Sequence, residues 1–376
     1  MRILTLTNNV WPPREGIGRH IAETTKGLVD RGHEVTVITR GEAYSDWFEH
    51  ELGPVQVLAA PFWPIRPWHH QRTKMAINYW LAANRGRFDL IHVHLPLVPK
   101  IQTDLPMVLT VHSPMLTYTD AITETGFRAA LTRINAKLFS QRLERWHLAR
   151  ARRIIAVSQS VRRELEAVYS VDPEAIEVIS NGVDTDFFTP GPTIKRRHIL
   201  YVGRLGYRKG LVDLLNAFAR QAPRIEHDLR LVGEGPLEDD LLRLAIELGI
   251  EQRVHFSGFA DRHGVRQALR TAAAYISPST YEACPLTLFE AMATATPVIS
   301  TRAGFVNDLA QAEGMMVLCD IGVDGLADAI GQMADRPGDM IERAHKARAW
   351  VRNHGSWDTV VDRLEVVLDP RKRLAA

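Results

Sequence analysis

Cysteine is nearly absent: of 376 residues only Cys284 and Cys319 carry a thiol. Two cysteines exclude a disulfide framework and the ligand set of a cysteine zinc site, and they fit a reducing cytoplasm. A charge imbalance is missing as well, since 46 Lys and Arg stand against 44 Asp and Glu for a net charge of +2. That balance gives no case for a dedicated nucleic-acid binder. No apolar run reaches the ~18 residues of a membrane-spanning helix. The opening "MRILTLTNNVWPP" alternates apolar residues with threonine and then breaks at two prolines, so it is not expected to be a signal peptide. Short tandem repeats and low-complexity tracts are also lacking. These absences leave a soluble globular chain, expected in the cytoplasm and touching a membrane at most from its inner face.

What is present is ordinary globular composition, 45% hydrophobic and 24% charged. The length suits two domains of roughly 150–200 residues. "RILTLTNN" reads as a strand, "VWPPREGIG" as a breaker-rich loop, the next segment as a helix with apolar spacing at Ile21, Thr25 and Leu28, and "EVTVIT" as a second strand. Strand, glycine loop, helix and strand make a βαβ unit and imply a parallel sheet. "FDLIHVHLP", "PMVLTVHSP" and "RRIIAVS" continue the pattern. After the Pro- and Gly-containing linker "FFTPGPTIKRR", the alternation restarts at "HILYVGRLGYRKG" and runs through "LRLVGEGP", "VHFSGF", "AAYISP", "TPVIST" and "MMVLC". The expected architecture is therefore α/β, with two Rossmann-like domains, residues 1–188 and 189–354, whose parallel sheets face an interdomain cleft. Trp357, Val360, Val361, Leu364 and Val367 form the apolar stripe of a last helix within 355–376, expected to pack back on the first domain.

Two features of the second half are directed at phosphate. "GRLGYRKG" leaves a strand through glycines and carries Arg204, Arg208 and Lys209, cations that a flexible loop can bring close to a diphosphate. "EACPLTLFEAM" turns from loop to helix near Pro285, a residue suited to a first helical turn. The amides of Leu286 and Thr287 would then point at an anion with the helix dipole behind them. Glu282 precedes that anion position and Glu290 follows it, so one carboxylate could hold a sugar and the other a ribose. A nucleotide-diphosphate sugar has that shape.

At this point the chain resembles a known family, the retaining GT-B glycosyltransferases of family four. The resemblance covers nearly the whole length, through "PPREGIGRHIAE", "VISNGVDTDFFTP", "YVGRLGYRKG", "LVGEGPLE", "STYEACPLTLFEAMATATPVIST" and "SWDTVVDRLEVV" in family order. It implies that Arg204 and Lys209 neutralise the donor diphosphate in place of a metal. By the same resemblance Glu290 binds the ribose, Glu282 contacts the transferred sugar, Gly16 lets the backbone approach phosphates and acceptor, and His112 stands beside the anomeric carbon. Base recognition is expected near Phe259. No cofactor or metal is expected; the donor would be UDP- or GDP-linked and the acceptor a sugar, lipid-linked or small-molecule hydroxyl. Three segments depart from the family pattern: Ala283, Cys284 and Pro285 replace Gly-Phe-Gly, Asn307 stands where a glutamate is common, and Glu15 precedes Gly16 in place of a second glycine.

Simpler readings apply to other residues. Asp184 and Asp186 in "DTD" fit a helix or turn cap better than a metal site. His92 and His94 alternate on one strand face and fit packing or a hydrogen bond, since no third ligand is evident. Ser158 fits a helix cap. "FWPIRPWHHQRTK" (62–74) and the basic stretch 127–153 suit either a solvated face or contact with an anionic membrane surface. A nucleotide-sugar epimerase of the same architecture and a non-catalytic nucleotide-sugar binder are the alternative functions.

Overall fold

The β-rich runs become strands of two separate sheets in a computed structural model, which describes residues 1–13, 16–52, 55–64, 69–120, 134, 139–191, 198–309 and 312–369. Packing divides the chain into two units. The first gathers described residues from Met1–Asp120, Gly126–Asn181 and Trp357–Ala376, the second from Gly182–Ser356.

The first unit contains β1 (Arg2–Thr7), α1 (Gly16–Asp30), β2 (Glu34–Ala43), β3 (Phe48–Leu52), β4 (Val55–Phe62), α2 (His69–Ala83), β5 (Leu90–Leu95), β6 (Met107–Val111), α3 (Met115–Asp120), α4 (Gln141–Leu148), β7 (Arg153–Ala156), α5 (Gln159–Tyr169) and β8 (Ile176–Val178). Its sheet runs β3-β4-β2-β1-β5-β6-β7-β8, parallel except for the β3–β4 pair. β5 and β6 are buried along their whole lengths, as central parallel strands covered on both faces must be. The antiparallel β3–β4 pair was not legible in the sequence, because "FEHEL" is largely polar and lies at the sheet's edge, where no core selects apolar residues.

The C-terminal helix, Trp357–Leu368, also belongs to this unit and packs on α1. Val360, Val361, Leu364 and Leu368 are buried there. Gly27 makes the approach possible: a Cβ on it would lie 2.6 Å from Val361 Cγ2. Polar contacts rim the interface, an ion pair from Arg31 to Asp362 at 2.6 Å and a hydrogen bond between His33 Nε2 and Glu365 Oε1 at 2.8 Å.

The second unit contains β9 (His198–Val202), α6 (Leu211–Gln221), β10 (Asp228–Val232), α7 (Glu238–Glu247), β11 (Val254–Phe256), α8 (Arg262–Thr271), β12 (Ala274–Ser277), α9 (Leu286–Ala293), β13 (Val298–Thr301), α10 (Ala312–Met315), β14 (Val317–Cys319), α11 (Val323–Asp335) and α12 (Pro337–His354). Its six strands are all parallel in the order β11-β10-β9-β12-β13-β14. Leu214, Phe218, Leu231, Ile276, Ile299, Leu326 and Ile330 belong to its core. In each sheet the chain order reverses beside one strand, β1 in the first and β9 in the second. Such switch points open a crevice outside the strands' carboxyl ends, where ligands of this architecture bind. Among the described residues no helix is long and apolar enough to cross a membrane.

Candidate active site

In the second unit, the loops leaving β9 and β12 are neighbours because those strands pair directly. The β9 loop holds Arg204, Arg208 and Lys209; the β12 loop holds Ser279, Glu282 and Pro285 and leads into α9. Backbone and side-chain bonds join them. Thr280 donates its N–H to the Arg208 carbonyl at 3.0 Å, and Arg208 Nη1 donates to the Tyr281 carbonyl at 2.7 Å. Lys209 Nζ donates to Glu282 Oε1 at 2.5 Å, Ser279 Oγ donates to the same oxygen at 2.7 Å, and Arg208 lies 3.8 Å from Oε2. Burial by itself would raise the Glu282 carboxyl, but the charges of Lys209 and Arg208 and the hydrogen bonds from Lys209 and Ser279 hold it below the usual carboxylate range.

Pro285 occupies the N-cap of α9, one step before the first turn, and no side chain caps that end. The first amides of α9, on Leu286 and Thr287, therefore form the helix's positive end. Glu290 is buried farther along the same helix. Arg204 is exposed at the start of the β9 loop, where its carbonyl accepts from Tyr201 Oη at 2.9 Å. Phe259 is exposed in the loop after β11. Of the expected donor residues in this unit, Lys209 and Glu282 are in direct contact, and Leu286, Thr287 and Glu290 share one helix.

Two contributors escaped the sequence reading, Ser279 and Gly304. Ser279 fixes the Glu282 carboxylate together with Arg208, which the sequence marked as a phosphate-directed cation and not as a partner of Glu282. Gly304, in the "AGFVND" segment, sits at φ +54°, and a Cβ there would fall 2.0 Å from the Glu282 carbonyl. That carbonyl instead accepts from Phe305 N–H at 2.9 Å, so a second loop grips Glu282 from behind.

In the first unit, parallel pairing sets a polar stripe across a sheet face. Thr7 is level with His94 and His94 with Thr110, while Thr5, His92 and Val108 share another level. Thr5, Thr7, His92, His94, Thr110 and His112 are all buried. His92 Nε2 lies 2.7 Å from Thr110 Oγ1, and His94 Nδ1 lies 3.1 Å from His112 Nε2. From α1, whose first residue is Gly16, His20 comes edge-on to His112 with ring centres 4.8 Å apart and donates Nδ1–H to Asn181 Oδ1 at 2.8 Å. Burial drives all four imidazoles toward neutrality, His20 to about 4 and His92 to about 3.

His92 and His94 are engaged in hydrogen bonds as expected, but a third histidine, not evident in the sequence, does stand nearby: His20 and His112 come from α1 and the end of β6 to join the pair. The ligand atoms of His20, His94 and His112 spread over as much as 4.8 Å. Tetrahedral zinc ligands at bonds of 2.0–2.1 Å stand about 3.4 Å apart, a spacing the His94–His112 contact meets at 3.1 Å, while His20 is held by Asn181. Asp184 caps its own turn, accepting from Asp186 and Phe187 N–H groups, and pairs with Arg262 at 2.6 Å. Ser158 caps α5 by accepting from Val161 N–H.

The sequence model of Glycosyltransferase Family 4 matches residues 14–187, and that of Glycosyl transferases group 1 matches residues 183–354. Glycogen synthase of Mycobacterium tuberculosis is 29% identical over 96% of this chain and 92% of its own length. Among solved structures, a sucrose-phosphate synthase from Thermosynechococcus elongatus superposes with a TM-score of 0.82 at 20% identity, covering 98% of both chains. HepE of Anabaena, in complex with UDP and glucose, superposes with a TM-score of 0.73 at 19% identity over 98% of this chain and 99% of its own. With adjoining family models spanning residues 14–354 on two parallel-sheet units, the chain belongs to the GT-B glycosyltransferases of family four.

Proposed function

We propose that the enzyme moves a sugar from a UDP- or GDP-linked donor to an acceptor hydroxyl in glycan, glycolipid or glycoconjugate synthesis, with retention of anomeric configuration and without a metal. The observation that carries this reading is the contact of half-buried Lys209, on the β9 loop, with buried Glu282, on the β12 loop that leads into the uncapped start of α9. When a donor enters, its diphosphate takes Lys209, Arg204 and the α9 amides, and Glu282 turns its oxygens to the sugar hydroxyls while Glu290 accepts from the ribose. The bond from the anomeric carbon to the diphosphate oxygen breaks, the acceptor oxygen bonds on the same face, and its proton passes to the departing phosphate oxygen. The main catalytic task is to stabilise that departing anion, which fixed cations and amides accomplish without reorganisation. His112 is assigned to the neighbourhood of the anomeric carbon. HepE's complex with UDP and glucose supports a nucleotide-sugar donor.

Thermal unfolding of the full chain with UDP, GDP and their sugars tests the donor, because only a ligand that binds the folded form raises its melting temperature. A shift with one nucleotide sugar and glycosylated product supports the reading; turnover unaffected by EDTA supports metal independence. A shift without turnover on any acceptor identifies a binding protein, and an isomerised donor identifies an epimerase. No shift with any nucleotide overturns the donor site.

The acceptor side supports contact with the inner face of a membrane. From Gln71 to Arg87 there is no acid, while Arg72, Lys74, Arg85 and Arg87 accompany the exposed Met75 and Tyr79 of α2. That mixture suits an anionic lipid surface. Sedimentation with phosphatidylglycerol vesicles but not with phosphatidylcholine vesicles is expected; equal behaviour with both removes this assignment. Of the other basic stretch, 127–153, residues 127–133 and 135–138 lie outside the described residues.

A further inference from the structure

We propose that His94 is a positioning residue that fixes the tautomer and ring orientation of His112, leaving Nδ1 as the His112 atom available to a ligand. The proposal deepens the reading of His112 as a donor-side group and rests on that reading for its consequence. A neutral imidazole has one protonated nitrogen and one lone pair, so in a contact between two rings one nitrogen donates and the other accepts, and the role His112 Nε2 takes gives its Nδ1 the opposite one. His94 Nδ1 engages His112 Nε2 at 3.1 Å.

Nothing in the surroundings lets that contact drift. β5 and β6 are paired in fixed register, with His94 level with Thr110, two residues before His112 on the same face. Both strands are buried along their lengths. His20 closes the other side, and its own ring is held by Asn181. Burial, with the neighbouring histidines, keeps the rings uncharged, so the proton's location on the ring is what remains to be set. A central parallel strand ordinarily carries valine, isoleucine or leucine at such a position. A histidine there gives up apolar packing, and its contact with His112 is the compensating gain.

The test separates the two nitrogens of residue 94. His94→Asn places an amide where Nδ1 stands, and His94→Gln places one where Nε2 stands. Long-range imidazole spectra of the ligand-free full chain, labelled with ¹⁵N-histidine, report the tautomer of His112 directly. Expected are one protonated and one bare nitrogen on His112 in the wild type and in His94→Asn, and loss of that single-tautomer pattern in His94→Gln. His92→Gln leaves the His112 pattern unchanged. A mixed tautomer in the wild type, an unchanged pattern in His94→Gln, or equal loss in both His94 variants overturns the assignment. No substrate is present, so failure here leaves the donor reading standing, and failure of the donor reading leaves the tautomer result standing.

Discussion

Lys209 and Glu282 neutralise each other while no donor is present, so truncating Lys209 leaves the buried Glu282 carboxylate to Arg208 and Ser279. Lys209→Ala is expected to cut turnover by roughly 10²–10³ with the circular dichroism spectrum unchanged, the scale seen when one donor to a developing anion is removed. Full transferase activity in a well-folded Lys209→Ala, Arg204→Ala double variant would remove this site from the chemistry. The same pair gives a signed pH dependence. The Glu282 carboxyl titrates below its ordinary value in the folded chain, so the unfolded chain binds more protons on acidification. Its stabilisation is complete above about 4.5, the usual glutamate value, and disappears as pH falls through the lower native value. The melting-temperature gap between wild type and Glu282→Gln should be widest near neutrality and close in acid; a gap independent of pH would place the carboxylate's contribution elsewhere. His20 and His92 act in the same direction over a different range. Both are neutral in the fold down to about 4 and about 3, so stability falls from pH 6.5 toward those values as the unfolded chain takes up their protons. Urea midpoints measured at pH 7 and pH 5 should show that loss.

At the scale of elements, the loops around Glu282 depend on a backbone position that tolerates no side chain. Gly304→Val would combine a positive φ with a collision at the Glu282 carbonyl. A cost of about 1–3 kcal/mol is expected from the strain, with a weaker thermal shift from UDP, read by denaturant melts and ligand titration. An unaltered UDP response would show that this loop does not shape the donor pocket. The C-terminal helix offers a packing test: Leu364→Ala, at a fully buried site, should cost about 2–4 kcal/mol in the first unit. These elements were unequally legible. Buried parallel strands such as β5 and β6 are continuous apolar runs and stand out in any window. The β3–β4 pair has only an edge to satisfy and left no such trace. Lys209 and Glu282 could be chosen by residue type and resemblance, but their meeting across 73 positions follows from β9 lying beside β12, which no local pattern encodes. The histidine cluster was missed for the same reason: "HVH" shows two rings, and strand register brings the third.

For the whole molecule, the two units possess separate cores, one around Phe218 and Leu231, the other around Ile21, Val37 and Val361. Two cores of this kind need not melt together. Calorimetry is expected to resolve two transitions, with UDP raising only the one that belongs to the Gly182–Ser356 unit, since a ligand stabilises the unit that holds it. A single transition moved as a whole would mean that the units unfold as one cooperative body.

The placement of Trp357–Leu368 against α1 has a consequence for how the protein is made. Ribosomes deliver Met1–Asn181 early, yet Ile21, Leu28 and Gly27 receive their covering helix only after every residue of the second unit has emerged. Biogenesis therefore runs against the usual N-terminal-first order, the later unit being able to finish while the earlier one waits. A stalled nascent chain lacking residues 357–369 should remain protease-sensitive near its beginning, and an expression fragment of the first unit would require that helix to be spliced back on.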